Sequence, residues 1–258
     1  MEEYYLICED SLEGIFSGVY DAYLMKMPHE QIHLCLGEDE NLRLFAVYRE
    51  CPVDEVKAAK VAKTVVRRFG QEAYLSLCRA MASPETDKAE AVYKTIVAGL
   101  SMKNPIEVMG NLANPYVYRV FELARFVAHE AHFHVEFVRF QELENEILYS
   151  VIGPKNNIIT FIMPHFADRL PLENFIIHDE KRNIYAIHPA KGDWYLYSGG
   201  GEFPEDRLRC SQGEERYSEL FYRFFRSIAI RERENPLLQR NMLPIRYRKY
   251  MTEFHMNN

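Results

Sequence analysis

Hydrophobic positions recur along this chain with two periods, one helical and one strand-like, and the order in which they appear predicts its elements. Tyr4 to Cys8 make a short apolar, β-prone run. Asp10 and Ser11 follow as N-cap candidates for an amphipathic helix over Leu12–Met25, with Ile15, Phe16, Val19, Tyr20 and Tyr23 on one face. Gly37-Glu-Asp-Glu-Asn reads as a turn and Leu42–Tyr48 as a strand. The spacing then becomes helical. Asp54 caps a helix that ends near Gly70, and a second covers Glu72–Met81. A third starts on Ser83 with Pro84 at its first position and reaches about Gly99, and Asn114-Pro115 opens a fourth from Tyr116 to about His129.

Past His132 the pattern changes to alternation. Val135, Phe137 and Phe140 among polar neighbours predict a strand over Phe133–Leu143, turning at Glu144-Asn-Glu and returning as Ile147–Ile152. Asn156 and Asn157 offer caps for an apolar helix, Ile158–Phe166. Phe175–His178, Ile184–His188 and Trp194–Tyr197 predict three further short strands. Gly199-Gly-Gly is a break, Gly213–Ile230 a long helix with Leu220, Phe221, Phe224, Phe225 and Ile228 on its stripe, and a short helix follows Pro244. The expected class is α+β: a helical subdomain, then an antiparallel sheet with a helix packed on it, and C-terminal helices. The expected segments are 1–52, packed on the rest, 53–130 and 131–258, together forming one integrated unit.

Composition changes this picture little, and charge changes it more. With 48% apolar and 27% charged residues, the 258-residue chain can bury an ordinary core. The acidic start Met1-Glu-Glu lacks a signal-peptide pattern, and no apolar run is long enough to span a bilayer, so the expectation is a cytoplasmic protein without membrane contact. The net charge of −7 argues against tight nonspecific DNA binding. It is unevenly spread: residues 216–250 hold nine basic and three acidic side chains, a balance of +6 that leaves −13 elsewhere. Such a tail suits phosphate or a partner's acidic surface. The five cysteines, Cys8, Cys35, Cys51, Cys78 and Cys210, form no C-x-x-C. They read as buried free thiols, with no iron–sulfur cluster and no resident cofactor expected.

Four groups of residues carry candidate chemistry. His129-Glu-Ala-His132-Phe-His134 has the composition of a zinc-protease motif but not its i,i+4 histidine pair, so no metal is assigned; a solvated helix end explains it equally well. Arg139 lies opposite Phe140 on the predicted strand and reads as an exposed strand arginine. Pro164-His165-Phe-Ala-Asp168-Arg169 brings imidazole, carboxylate and guanidinium onto one helix end. Asp168 there could set the His165 tautomer and Arg169 could clamp a phosphate, or the three could form a helix-terminal salt-bridge cluster. Arg246-Tyr247-Arg248-Lys249 interleaves cations and a ring, as phosphate contact with base stacking requires, or as a solvated terminal helix would show.

With these residues in view, the chain resembles a bacterial family of DNA-metabolism or DNA-repair proteins of unknown function. Its members are encoded beside a radical S-adenosylmethionine (SAM) protein and in longer members joined to a uracil-DNA-glycosylase-type domain. The resemblance runs through Asp10-Ser-Leu-Glu-Gly-Ile, Ala124-Arg125, Glu130-Ala-His132, Phe137-Val-Arg-Phe-Gln-Glu142, Pro164-His-Phe-Ala-Asp-Arg169, Arg233-Glu-Asn-Pro-Leu-Leu-Gln239 and Pro244-Ile-Arg-Tyr247. Where the family pattern has a Trp after that last Tyr, Arg248 stands here, and no glycosylase-type domain is present in this sequence. The resemblance implies a nucleic-acid-binding accessory in DNA metabolism, with DNA and a radical SAM protein as partners. It also implies that His132, Arg139, His165, Asp168 and Arg169 belong to family motifs. The residues alone leave two other readings open. One is an enzyme acting on a nucleotide phosphate, with His132, His165 and Asp168 as acid–base groups and Arg139 and Arg169 as anion binders. The other is a structural adaptor without catalysis.

Overall fold

The computed structural model describes residues 2–37, 45–198, 209–228, 243–251 and 254. The 42–44 part of one predicted strand, the Gly199-Gly-Gly break, the 229–230 end of the long helix and the Arg233–Gln239 string lie outside that set, as do the side chains of Phe224, Phe225 and Ile228. The chain divides into two compact units. The first comprises Met1–His129 with Lys155–Asn157, and the second comprises Glu130–Pro154 with Ile158–Asn258.

The first unit opens with β1 (Glu3–Cys8), α1 (Leu12–Leu24), β2 (Ile32–Leu36) and β3 (Ala46–Cys51). β1 lies in the middle of a three-stranded parallel sheet of order β2-β1-β3. A central parallel strand is covered on both faces, which is why Leu6 and Tyr5 are both buried despite pointing to opposite sides. Ser11 caps α1 by accepting the Gly14 amide at 3.0 Å. Four helices follow: α2 (Glu55–Phe69), α3 (Gln71–Met81), α4 (Lys88–Ser101) and α5 (Pro115–Phe137), the last of which belongs to the second unit from Glu130 on. Asp54 accepts the amides of Val56 and Lys57, and Asn114 those of Tyr116 and Val117, so both predicted caps hold. One core joins the sheet to the helices through Phe16, Leu77, Tyr93 and Leu123. β2 is an edge strand, and α4 ties it down. Glu90 accepts the Leu34 amide and pairs with His33, both at 2.9 Å, and Lys94 donates to the Ile32 carbonyl at 2.8 Å.

The second unit is built on a five-stranded sheet of order β4-β5-β6-β7-β8: β4 (Gln141–Glu142), β5 (Leu148–Ile152), β6 (Phe175–Asp179), β7 (Ile184–His188) and β8 (Tyr195–Tyr197). Three of its strand pairs are antiparallel and one, β5 with β6, is parallel. Between those two strands runs α6 (Ile159–Arg169), whose Ile159, Ile162, Met163 and Phe166 are buried. A helix between parallel neighbours is what such a crossover needs. α7 (Gln212–Ile228) and the short α8 (Ile245–Arg248) complete the α+β fold.

Several expectations are corrected. The strand over Phe133–Leu143 is helix as far as Phe137, because Phe133, His134 and Phe137, at helical spacing, all pack around Tyr247. Only Gln141–Glu142 remains strand, so Arg139 lies in the connection and the 129–134 histidine cluster lies inside a helix rather than at its end. The strand near 42–48 begins at Ala46. Ser83 accepts the Glu85 amide in a turn, and the helix proper starts at Lys88. Ile158, not an asparagine, stands at the N-cap of α6, with no side-chain cap, and that helix runs through Pro164 to Arg169.

Candidate nucleic-acid interface

Within the second unit, backbone hydrogen bonds bring the start of α7 against the β4 edge. Ser211 donates its amide to the Glu142 carbonyl at 2.9 Å, Glu144 donates to the Arg209 carbonyl at 3.0 Å, and the Glu142 amide reaches the Glu214 carboxylate at 3.1 Å. Arg139 and Phe140 then face Glu214, Tyr217, Ser218 and Phe221 across a crevice of about 260 Å³. Phe140 is fixed by edge-on packing against Phe166 and Phe175, with centroids 5.4 and 5.5 Å away. Arg139 caps the end of α5, donating from Nη1 to the carbonyls of Glu136 at 3.1 Å and Val138 at 3.3 Å. A cation there also suits the partial negative charge of a helix C-terminus. Glu214 accepts the Ser218 hydroxyl at 3.0 Å. Tyr217 and Phe221, one helical turn apart, are 69% and 42% exposed. The arrangement offers a fixed ring, a fixed guanidinium, a carboxylate and two solvent-facing rings.

Arg246, Tyr247, Lys249 and Tyr250 near the C-terminus are engaged by hydrogen bonds or ion pairs within the protein. Arg246 pairs at 3.3 Å with Glu130, which is 3% exposed, and donates to the Tyr247 hydroxyl at 2.7 Å. Tyr247 is buried among Phe133, His134 and Phe137. The Arg248 guanidinium lies 4.9 Å from the Phe254 ring centroid, and its buried Nε and Nη2 have no hydrogen-bond partner among the described residues. Lys249 and Tyr250 close on Glu180 at 2.7 and 2.6 Å. Burial would raise the Glu180 carboxyl, but the hydrogen bonds from Lys249 and Tyr250 outweigh it and hold the group below its ordinary range.

His132 is exposed and pairs with Glu136 one turn on, at 3.1 Å. His165, Asp168 and Arg169 are exposed on α6, and among the described residues no ion pair or hydrogen bond joins them to one another; His165 meets the Phe166 ring edge-on. None of these side chains lines the Arg139 crevice. Burial pushes His134 and His178 below the ordinary imidazole value. His134 bonds the Glu130 carbonyl through Nδ1 at 2.9 Å, and His178 bonds the Tyr149 hydroxyl at 2.9 Å while stacking on Tyr185. Sequence reasoning missed Glu130, Glu180, Glu214 and Tyr217. Glu130 stood inside a quoted motif beside His132. Tyr217 carried no signal beyond its place on the α7 face.

Among the described residues no group of three or more His, Cys, Asp or Glu is placed to hold a metal ion, and no helix is long and apolar enough to cross a membrane. No curated protein matches the chain. Residues 86–253, which include the Arg139 crevice and the Glu130, Glu180 and Tyr247 contacts, match the family described as Domain of unknown function (DUF4130), and with well over half its length inside that match the chain belongs to this family.

Proposed function

We propose that this protein is a nucleic-acid-binding component of DNA metabolism that takes single-stranded DNA in the Arg139 crevice. The observation that carries the reading is the pairing of the Arg139 guanidinium with the exposed rings of Tyr217 and Phe221 around one small hollow. Every base has a π-face, so a ring platform binds bases with little sequence preference, and a neighbouring guanidinium adds a phosphate or cation–π contact. A crevice of about 260 Å³ fits one base better than the larger ligands that fill pockets of roughly 300–1,000 Å³. Glu214 and Ser218 at its floor can meet a base edge and are repellent to a second phosphate. The family resemblance alone supports the wider setting, in which the chain acts as an accessory in DNA repair beside a radical SAM protein that supplies the iron–sulfur chemistry.

The test is fluorescence anisotropy with a labelled oligothymidylate at low salt. Tyr217→Ala and Phe221→Ala, both on an exposed face and so tolerable to the fold, are each expected to weaken binding about tenfold, as stacking worth about 1–3 kcal/mol per base requires. Wild-type protein that fails to bind, or variants that bind as tightly as wild type, would refute the reading.

A further inference from the structure

A different part of the molecule holds a reactive pair that the sequence presents as unrelated thiols. Cys8 ends β1 and Cys51 ends β3, and the parallel register sets the two residues opposite each other. Adjacent strands lie about 4.8 Å apart, inside the roughly 4.4–6.8 Å Cα separation that a disulfide spans. Both are terminal residues of their strands, so closing the sulfurs together disturbs no ladder bond beyond them. The register places both side chains on the same face of the sheet. The Cys8 thiol donates to the Leu6 carbonyl 3.7 Å away. Both sulfurs are free, and both residues are almost wholly buried, yet both line a cleft of about 590 Å³ at the carboxyl ends of the strands. This cleft opens where the chain departs from β1 to either side, and its rim carries Glu9, Asp10 and Glu50.

We propose that Cys8 and Cys51 are an oxidation site, closed to a disulfide by a small uncharged hydroperoxide that enters through this cleft. Cys51 is the attacking thiol. The hydrogen bond from Cys8 outweighs burial and holds the Cys51 thiol below its ordinary range, with Lys57 and Arg49 acting in the same direction. Cys8, as the donor of that bond and by burial, is pushed up. The Cys51 thiolate attacks one peroxide oxygen and the O–O bond breaks. The other oxygen leaves and takes a proton to become water, and Cys51 is left as a sulfenic acid. The Cys8 sulfur then attacks the sulfenic sulfur. Its proton departs with the hydroxyl as a second water, and the S–S bond forms. Two thiols lose two electrons and two protons, and one hydrogen peroxide becomes two waters. Asp10 on the rim is paired with Lys88, and the carboxylates of Glu9 and Glu50 repel an anionic oxidant such as glutathione disulfide and admit a neutral one.

The full chain treated with hydrogen peroxide is expected to lose two hydrogens by intact mass and to recover them with dithiothreitol. Proteolysis without reduction should yield a Cys8 peptide joined to a Cys51 peptide. Dimedone added early, to wild-type protein, should label Cys51 alone, and in Cys8→Ser that label should accumulate because the resolving thiol is missing. Glutathione disulfide should act at least tenfold more slowly than peroxide. A mass that does not change, a disulfide joining any other pair among Cys8, Cys35, Cys51, Cys78 and Cys210, early label on Cys8, or glutathione disulfide acting as fast as peroxide would overturn the assignment. The wild-type mapping and labelling decide the matter even if the serine variant does not fold.

Discussion

Glu180 shows how one side chain can hold a terminal segment by charge. Its carboxylate receives Lys249 at 2.7 Å and the Tyr250 hydroxyl at 2.6 Å, and these bonds keep its acid range low against the opposing effect of burial. A carboxyl whose folded pKa lies below its unfolded value contributes stability above the unfolded value and loses that contribution as pH falls through the folded one. Glu180→Gln is therefore expected to cost about 1–2 kcal/mol at pH 7, the scale of a hydrogen bond to a charged group reduced by partial exposure. The same substitution should cost progressively less as the pH falls below the ordinary carboxyl range and the wild-type carboxylate takes up its proton. Urea unfolding of the two proteins at pH 7 and at acid pH checks this, and a penalty that does not shrink on acidification would sink it. His134, lowered chiefly by burial, follows the same sign: the unfolded chain takes the proton first, so acid favours unfolding at this residue as well.

At the scale of elements, the β5 end and α8 depend on an absent side chain. A Cβ on Gly153 would stand 1.9 Å from the Tyr250 hydroxyl and 3.2 Å from the Glu180 carboxylate. Gly153→Ala should push Tyr250 off Glu180 and loosen residues 243–251, so that trypsin cuts at Arg246, Arg248 and Lys249 several-fold faster than in wild type; unchanged cleavage would show that the contact does not hold the segment. The elements most legible in the sequence were those with local signals. Ser11, Asp54 and Asn114 announce their helices because capping is a contact within three residues. The elements that were misread or missed are settled at long range. Val135, Phe137 and Phe140 fit alternation as well as a helix, and the contact with Tyr247, more than a hundred residues on, decides for helix up to Phe137. β2, with His33 and Cys35 among its five residues, becomes a strand through β1 beside it and Glu90 of α4 beneath its free edge. The candidate sites follow the same rule: the Arg139 crevice needs α7 docked on β4, and the Cys8–Cys51 pair needs the parallel register.

For the whole molecule, net charge and its placement bear on how nucleic acid could be held. The chain carries −7 overall with an excess of +6 over residues 216–250, which on sequence alone suggests a phosphate-binding tail. Yet Arg246 and Lys249 are matched by Glu130 and Glu180, and Arg223 is matched by Glu219 one turn before it. Cations already paired release few counterions on meeting DNA, because binding would exchange one anionic partner for another. The proposed crevice brings one guanidinium and two rings, so it neutralises about one or two phosphates, and stacking, which salt hardly screens, carries most of the affinity. The expected dependence is shallow: the slope of log K against log salt for single-stranded DNA should be about −0.7 to −1.4, and duplex DNA, whose bases are not free to stack on Tyr217 and Phe221, should bind at least tenfold more weakly. Titrations of a thymidylate oligomer and a duplex of equal length between about 50 and 200 mM salt measure both quantities. A slope of about −4 or steeper would mean that about six or more phosphates are neutralised, and equal affinity for duplex would mean that stacking adds little; either would move the binding surface from the rings of α7 to the basic tail.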